Sequence, residues 1–262
     1  MQLIDTHSHL YHAKFNADMD QVIARAQEVL SHVFLPNIDQ DSIGPMKALT
    51  ERSPGFFKPM MGLHPCHVEE DFRPVLEEME AEFDRYDYYG VGETGLDLYW
   101  DKTTLDRQIE SLRVHCRWAR EKDLPIILHA REAIDELIQV ISEEQDGRLR
   151  GIFHCFNGSV EQARRIEGLG FLMGLGGVLT YKKSGLDTVV KEIDLQHLVL
   201  ETDSPYLPPT PHRGKRNESS YTALVARKLA DVKEITFAEV ARVTSENARA
   251  LFRIDTTEMS PT

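Results

Sequence analysis

Two histidines, His7 and His9, stand one residue apart directly after a short apolar run in the stretch IDTHSHL. Residues i and i+2 of an extended chain project to the same face, so both imidazoles can reach one ion. Alone, the pair reads equally as polar loop residues, since histidine is only moderately buried in proteins. The remaining candidates share one placement. Glu93 lies in GVGETG, His129 ends PIILH, His154 ends GIFH, and Asp203 follows HLVLE in ETDSP. Each sits at the downstream end of a short apolar segment. A carboxylate there, such as Glu93 between glycines, is costly to bury unless it is paired or bound to a metal. Four imidazoles and two carboxylates in this pattern point to an open catalytic metal site rather than a closed structural one.

Those residues need elements that bring distant positions together. Candidate strands are 3–5, 32–36, 56–62, 88–93, 125–129, 151–154, 170–174 and 197–201. Most are too apolar to alternate, which suits strands covered on both faces of a parallel sheet. Between them lie helical stripes. Leu105, Ile109, Leu112 and Cys116 form one, and Ala133, Ile134, Leu137, Ile138 and Ile141 another. Asp18 is a candidate cap for a helix carrying Val22, Ile23, Ala26 and Leu30. Residues 221–252 are helical in pattern. Strands alternating with helices over 262 residues predict an α/β fold, a single-domain (β/α)8 TIM barrel. Its boundaries are 1–254, followed by a C-terminal tail at 255–262. The rival doubly wound sheet favours a glycine-rich phosphate loop after the first strand, and DTHSHLYH is unlike one. In a barrel the downstream strand ends converge on one face, where the six residues would meet.

The net charge of −13 excludes a broad positive field for tight, non-specific binding to duplex nucleic acid. The one dense basic stretch is the loop at 211–216, PHRGKR. No apolar run approaches the roughly 20 residues needed to span a bilayer, and no secretory signal opens the chain. Cys66, Cys116 and Cys155 are odd in number and widely spaced, which fits a reducing compartment. A cytoplasmic protein and a monomer are expected. Cys66 and Cys155 read as small apolar fillers. His12, His32, His67, His115, His197 and His212 read as structural or solvated.

With these residues in view, the chain resembles the TatD-type metal-dependent deoxyribonucleases of the amidohydrolase superfamily. The motifs that carry the resemblance are DTHSHL, GLHP, GETGLD, LPIILHARE, FHCFNGS, LETDSPYL and RGKRNE, spread from Asp5 to Glu218. The resemblance implies a binuclear metal centre. It places one divalent ion on His7 and His9 with Asp203 completing its shell, a second on His129 and His154, and Glu93 between them. The departures are Thr94, HARE and RNESS; they leave the ligand types intact and touch the pocket rim. Mixed imidazole and carboxylate donors suit zinc, manganese, nickel or iron. Magnesium enters through the family, although it prefers oxygen ligands.

The chemistry expected is hydrolysis of a phosphodiester in DNA ends or single strands. Two cations supply positive charge and acidify a water. Asp203 and Glu93 are the catalytic carboxylates, with Asp203 handling the proton. His64 in GLHP, Arg131, Arg213, Lys215 and Arg216 are candidate phosphate contacts. The run Arg216-Asn217-Glu218 reads equally as a helix start capped by Asn217. The alternative activity is hydrolysis of a small phosphoester, ester or amide by the same metal array; a further rival is a non-catalytic metal-binding protein.

Overall fold

The structure, a computed structural model, describes residues 2–254; the tail expected at 255–262 lies outside the described residues. Eight short parallel strands form the centre: β1 (Leu3–Asp5), β2 (Leu30–Pro36), β3 (Phe57–Met60), β4 (Val91–Asp97), β5 (Ile126–Arg131), β6 (Gly151–Phe153), β7 (Leu172–Leu175) and β8 (Leu198–Leu200). Helices α1 (Met19–Val29), α2 (Gln40–Arg52), α3 (Arg73–Glu82), α4 (Leu105–Glu121), α5 (Ile134–Glu144), α6 (Val160–Gly168) and α7 (Leu186–Lys191) connect them. After β8 come α8 (Thr222–Lys233) and α9 (Phe237–Phe252). Strands β1 to β3 and β4 to β8 pair in sequence order. The two sets join through parallel bridges, Met61 to Val91 and Ser8 to Ser204, which close the (β/α)8 barrel. Among the described residues, no helix is long and apolar enough to cross a membrane.

Two apolar layers follow from alternation along the strands. Ile4, Phe34, Met60, Ile127, Ile152 and Val199 form an inner cluster, packed with Leu251, Phe252 and Ile254. Phe252 of α9 stacks on Phe34 with ring centroids 3.7 Å apart. Neighbouring strand residues such as Leu3, Val33, Ile126, Leu128, Phe153 and Leu198 belong to the other cluster, beneath the helices. Two residues downstream of Ile127, Ile152 and Val199 stand His129, His154 and Glu201. Period-two alternation therefore gives the inner face an apolar floor and a polar mouth.

Three local expectations change. Strand β4 does not end at Glu93 but runs on to Asp97, so GETGLD is strand rather than loop. Gly95 makes this possible: its φ is 141°, and a Cβ there would lie 2.1 Å from the His129 carbonyl oxygen. The helical run at 221–252 divides into α8 and α9, because Glu234 turns left-handed at φ 56°. Asp18 stands at the N-cap of α1 without a side-chain capping bond, its carboxylate being held by Arg216.

Candidate metal centre

Closure of the barrel assembles the first part of the site. The Asp203 amide donates to the His7 carbonyl over 2.9 Å, and the His9 amide to the Ser204 carbonyl over 2.7 Å. Beneath this seam, buried Asp5 accepts from the Thr202 amide and hydroxyl, over 2.9 and 2.6 Å. Burial pushes the Asp5 carboxyl up to about 7 despite these bonds. Asp203 adopts φ 55°, turning the chain out of β8.

Glu93, only 2% exposed, occupies the centre. Its Oε2 lies 3.2 Å from His7 Nε2 and 3.4 Å from His9 Nε2. Its Oε1 lies 2.9 Å from His129 Nδ1, 3.0 Å from His154 Nε2 and 3.4 Å from His64 Nε2. Asp203 Oδ1 completes the first group, 3.4 Å from His9 Nε2 and 3.9 Å from His7 Nε2. The rings of His7 and His154 stack 3.8 Å apart, joining the two groups. All six ligand residues expected from the sequence are thus brought together.

Neighbours decide which imidazole nitrogen carries the lone pair. The Tyr11 hydroxyl donates its one proton to the Pro36 carbonyl over 2.5 Å. It therefore accepts from His9 Nδ1, 2.8 Å away, leaving His9 Nε2 to face the cluster as a base. Asp97 Oδ2 lies 3.0 Å from His129 Nε2 and takes that proton, so Nδ1 faces Glu93. Glu201 Oε1 stands 3.3 Å from His154 Nδ1 and accepts from the Cys155 amide at 2.7 Å. Gly174 admits that buried carboxylate, since a Cβ there would meet its Oε2 at 2.1 Å. The sequence assigns no role to Asp97, Glu201 or Tyr11. Asp97 stands four residues from Glu93 on β4, the spacing that returns a side chain to the same strand face; Tyr11 and Glu201 lie two residues from His9 and Asp203 in the segments beyond β1 and β8.

His64 differs from the other imidazoles. Its Nδ1 accepts from the Cys66 amide over 3.1 Å, and burial lowers its pKa to about 4. The neutral ring then keeps its proton on Nε2, which points at the cluster as a donor rather than a ligand.

The charge balance follows from the crowding. Burial alone would raise the Glu93 carboxyl, but His154, His7 and His64 around it, with a bond from His129, hold it well below the usual range. Asp203 is likewise lowered, as the His9 bond and the charges of His154 and His7 outweigh its burial. Burial would lower His9 and His154, yet the carboxylates beside them, with Tyr11 at His9, raise both. A cation fits this arrangement. His7 Nε2 and His9 Nε2 face each other at 3.2 Å, where two lone pairs repel unless a proton or metal lies between them. Three groups of side chains have potential ligand atoms within 4.8 Å of one another: His7, His9 and Asp203; His7, His154 and Glu201; and Glu93 and His129 with His64, whose Nε2 proton makes it a hydrogen-bond donor to the group.

The expected phosphate contacts separate. Arg131 lies two residues beyond His129, with its guanidinium 3.7 Å over the Tyr99 ring. Arg213 lies 3.7 Å over Tyr181. Arg216 does not offer a free guanidinium: it grips both Asp18 oxygens at 2.7 Å and the Lys14 carbonyl at 2.8 Å. Lys215 lines an open cavity with Arg25, Glu218 and Tyr221, away from the imidazoles. Asn217 caps no helix; its Nδ2 donates to the Thr202 and Tyr206 carbonyls. Cys66 is exposed rather than a core filler.

Comparison with known proteins agrees with this geometry. A family model described as TatD related DNase matches residues 4–253. The uncharacterized metal-dependent hydrolase YabD of Bacillus subtilis is 39% identical over 259 residues, covering 97% of this chain and 100% of the relative. The uncharacterized metal-dependent hydrolase YcfH of Escherichia coli K12 is 31% identical, covering 99% and 98%. The crystal structure of YjjV, a TatD homolog from Escherichia coli K12, superposes with a TM-score of 0.90 at 30% identity, covering 97% and 98%. A TatD family hydrolase from Entamoeba histolytica, 22% identical, shares the fold with a TM-score of 0.83, covering 96% and 98%. With a barrel mouth of histidines and carboxylates built as described, and relatives of this length and likeness, the chain is a metal-dependent hydrolase of the TatD family.

Proposed function

We propose that the protein hydrolyses phosphodiester bonds in DNA ends or single strands. The division of Glu93, one oxygen toward His7 and His9 and the other toward His129 and His154, supports a two-cation hydrolase, and the guanidinium groups of Arg131 and Arg213 favour a phosphate-bearing substrate. One carboxylate shared in this way would serve two cation sites, the first to be held by His7, His9 and Asp203 and the second by His129 and His154. Two divalent cations bound there, zinc, manganese, nickel or magnesium, supply Lewis-acid charge to a phosphoryl oxygen and acidify a water.

The chain's own groups do the rest. Asp203, kept ionised by its imidazoles, accepts the proton of the attacking water at Oδ1 and returns it to the leaving oxygen. His64 donates from Nε2 to a non-bridging oxygen, a bond that strengthens as charge develops there. Arg131 and Arg213 have no ion-pair partner among the described residues, which leaves their N–H edges available to phosphate. These local cations answer the acidic net charge, because a strand end in a metal-lined mouth needs no broad basic surface.

The test is a side-by-side assay of the metal-reconstituted protein on a labelled single-stranded oligonucleotide, its duplex, a p-nitrophenyl phosphodiester, a lactone and a carboxylic ester. Oligonucleotide cleavage well above ester and lactone turnover supports the reading. Turnover of esters or small phosphoesters without oligonucleotide cleavage replaces it with the small-substrate alternative.

A further inference from the structure

Six large apolar side chains are exposed among the described residues, and four of them surround the mouth. Tyr99 and Trp100 follow the end of β4, and Tyr206 and Leu207 follow Asp203. Trp100 is 73% exposed and Tyr99 48%, with their rings edge to face at 4.8 Å. The pair is tied to the metal centre through one carboxylate. Asp97 Oδ1 accepts from the Tyr99 amide over 3.0 Å, while Oδ2 takes His129 Nε2 over 3.0 Å. Arg131 braces the pair, 3.7 Å over Tyr99 and 5.5 Å from the Trp100 ring. Its backbone is held in turn by the Leu98 amide, which donates to the Arg131 carbonyl at 2.9 Å.

We infer that Tyr99 and Trp100, braced by Arg131, form a nucleobase-stacking subsite for the unpaired nucleotide beside the scissile phosphodiester. The inference rests on the phosphodiesterase reading and specifies how that substrate is held. An indole face left in water beside a cation is the platform that single-strand binders use, because every base offers a π-face. The acidic net charge favours such a platform. Counterion release contributes little binding to a protein of charge −13, whereas stacking does not depend on net charge. A base inside a duplex is already stacked on both faces, so the subsite selects ends and single strands. The patch consists of two rings interrupted by Arg131 and by the nearby Lys102–Glu132 ion pair, too small and too charged for the core of a protein interface.

The chain has two tryptophans, and Trp118 is fully buried, so fluorescence quenching by an added oligonucleotide reports on Trp100. The probe is a single-stranded oligothymidylate with a phosphorothioate backbone, compared with an abasic strand of equal length and charge, on the metal-loaded protein. The base-carrying strand should quench and the abasic strand should not. With cleavable backbones, the unaltered enzyme should show a KM about ten- to hundredfold lower for the base-carrying strand, the range of one stacked base. Trp100→Ala should bring the two KM values to within about twofold, and Trp100→Phe should keep most of the difference. Equal quenching by both strands, or undiminished discrimination in Trp100→Ala, overturns the platform while leaving the phosphodiesterase reading in place. Failure of the unaltered enzyme to cleave the oligonucleotide overturns both.

Discussion

Asp97 holds His129 from behind: its Oδ2 lies 3.0 Å from His129 Nε2, while the opposite ring nitrogen lies 2.9 Å from Glu93 Oε1. The backbone of Asp97 is itself clamped by Gln108 of α4, which accepts from its amide at 2.8 Å and donates to its carbonyl at 3.0 Å. A carboxylate behind a ligating imidazole sets its tautomer and raises its basicity, and loss of such a partner typically costs about 10- to 100-fold in metal affinity. Asp97→Asn should therefore weaken retention of one metal equivalent by that factor, read by chelator competition. Affinity equal to the unaltered protein's would show that Asp97 does not tune His129 as a ligand.

His64 makes the opposite prediction. Because its Nδ1 is spent on the Cys66 amide, its Nε2 is a proton donor. His64→Gln should leave the metal content unchanged by elemental analysis, while kcat/KM on an oligonucleotide falls about 10- to 1,000-fold, the range for a lost oxyanion donor. Loss of a metal equivalent in this variant would instead make His64 a ligand.

Asp203 tests the proton transfer. Asn at this position keeps the shape but cannot accept a proton. Asp203→Asn should lower kcat by about 10²- to 10⁴-fold with the circular dichroism spectrum retained, the usual worth of a positioned base. Turnover at the original rate in a folded variant would sink the assignment.

His115 couples the fold to pH. Its Nδ1 donates to the Ser111 carbonyl over 2.7 Å, and its Nε2 accepts from the Leu63 amide over 3.0 Å, directly before His64. Only the neutral ring makes both bonds, and burial lowers its pKa to about 4 from 6.5. The unfolded chain therefore takes up a proton first as pH falls. Stability from this residue is complete above about pH 6.5, declines between 6.5 and 4, and changes no further below that. The span corresponds to about 3 kcal/mol. Urea unfolding should show the unaltered protein losing more stability across this window than His115→Gln, which does not titrate there. Parallel pH profiles would contradict the assignment.

Much of this site was legible before folding. Strand alternation is local and short-ranged. Ile127 and His129, or Ile152 and His154, share a face wherever the strand packs, and an acid between glycines is too costly to bury alone. The residue types at the strand ends therefore marked the candidate ligands, and the alternation of eight apolar runs with helical stripes pointed to the barrel. The arrangement around each ligand was decided only by tertiary closure. The bridge between Ser8 and Ser204 brings Asp203 to His9. The glycine at 95 lets β4 continue, so that Asp97 rather than a loop stands behind His129. Asp18, almost 200 residues earlier, claims Arg216 and removes it from the phosphate contacts. A hydrogen bond requires a partner within about 3 Å. Sequence spacing carries that information along one strand, but between strands it exists only once the barrel has closed.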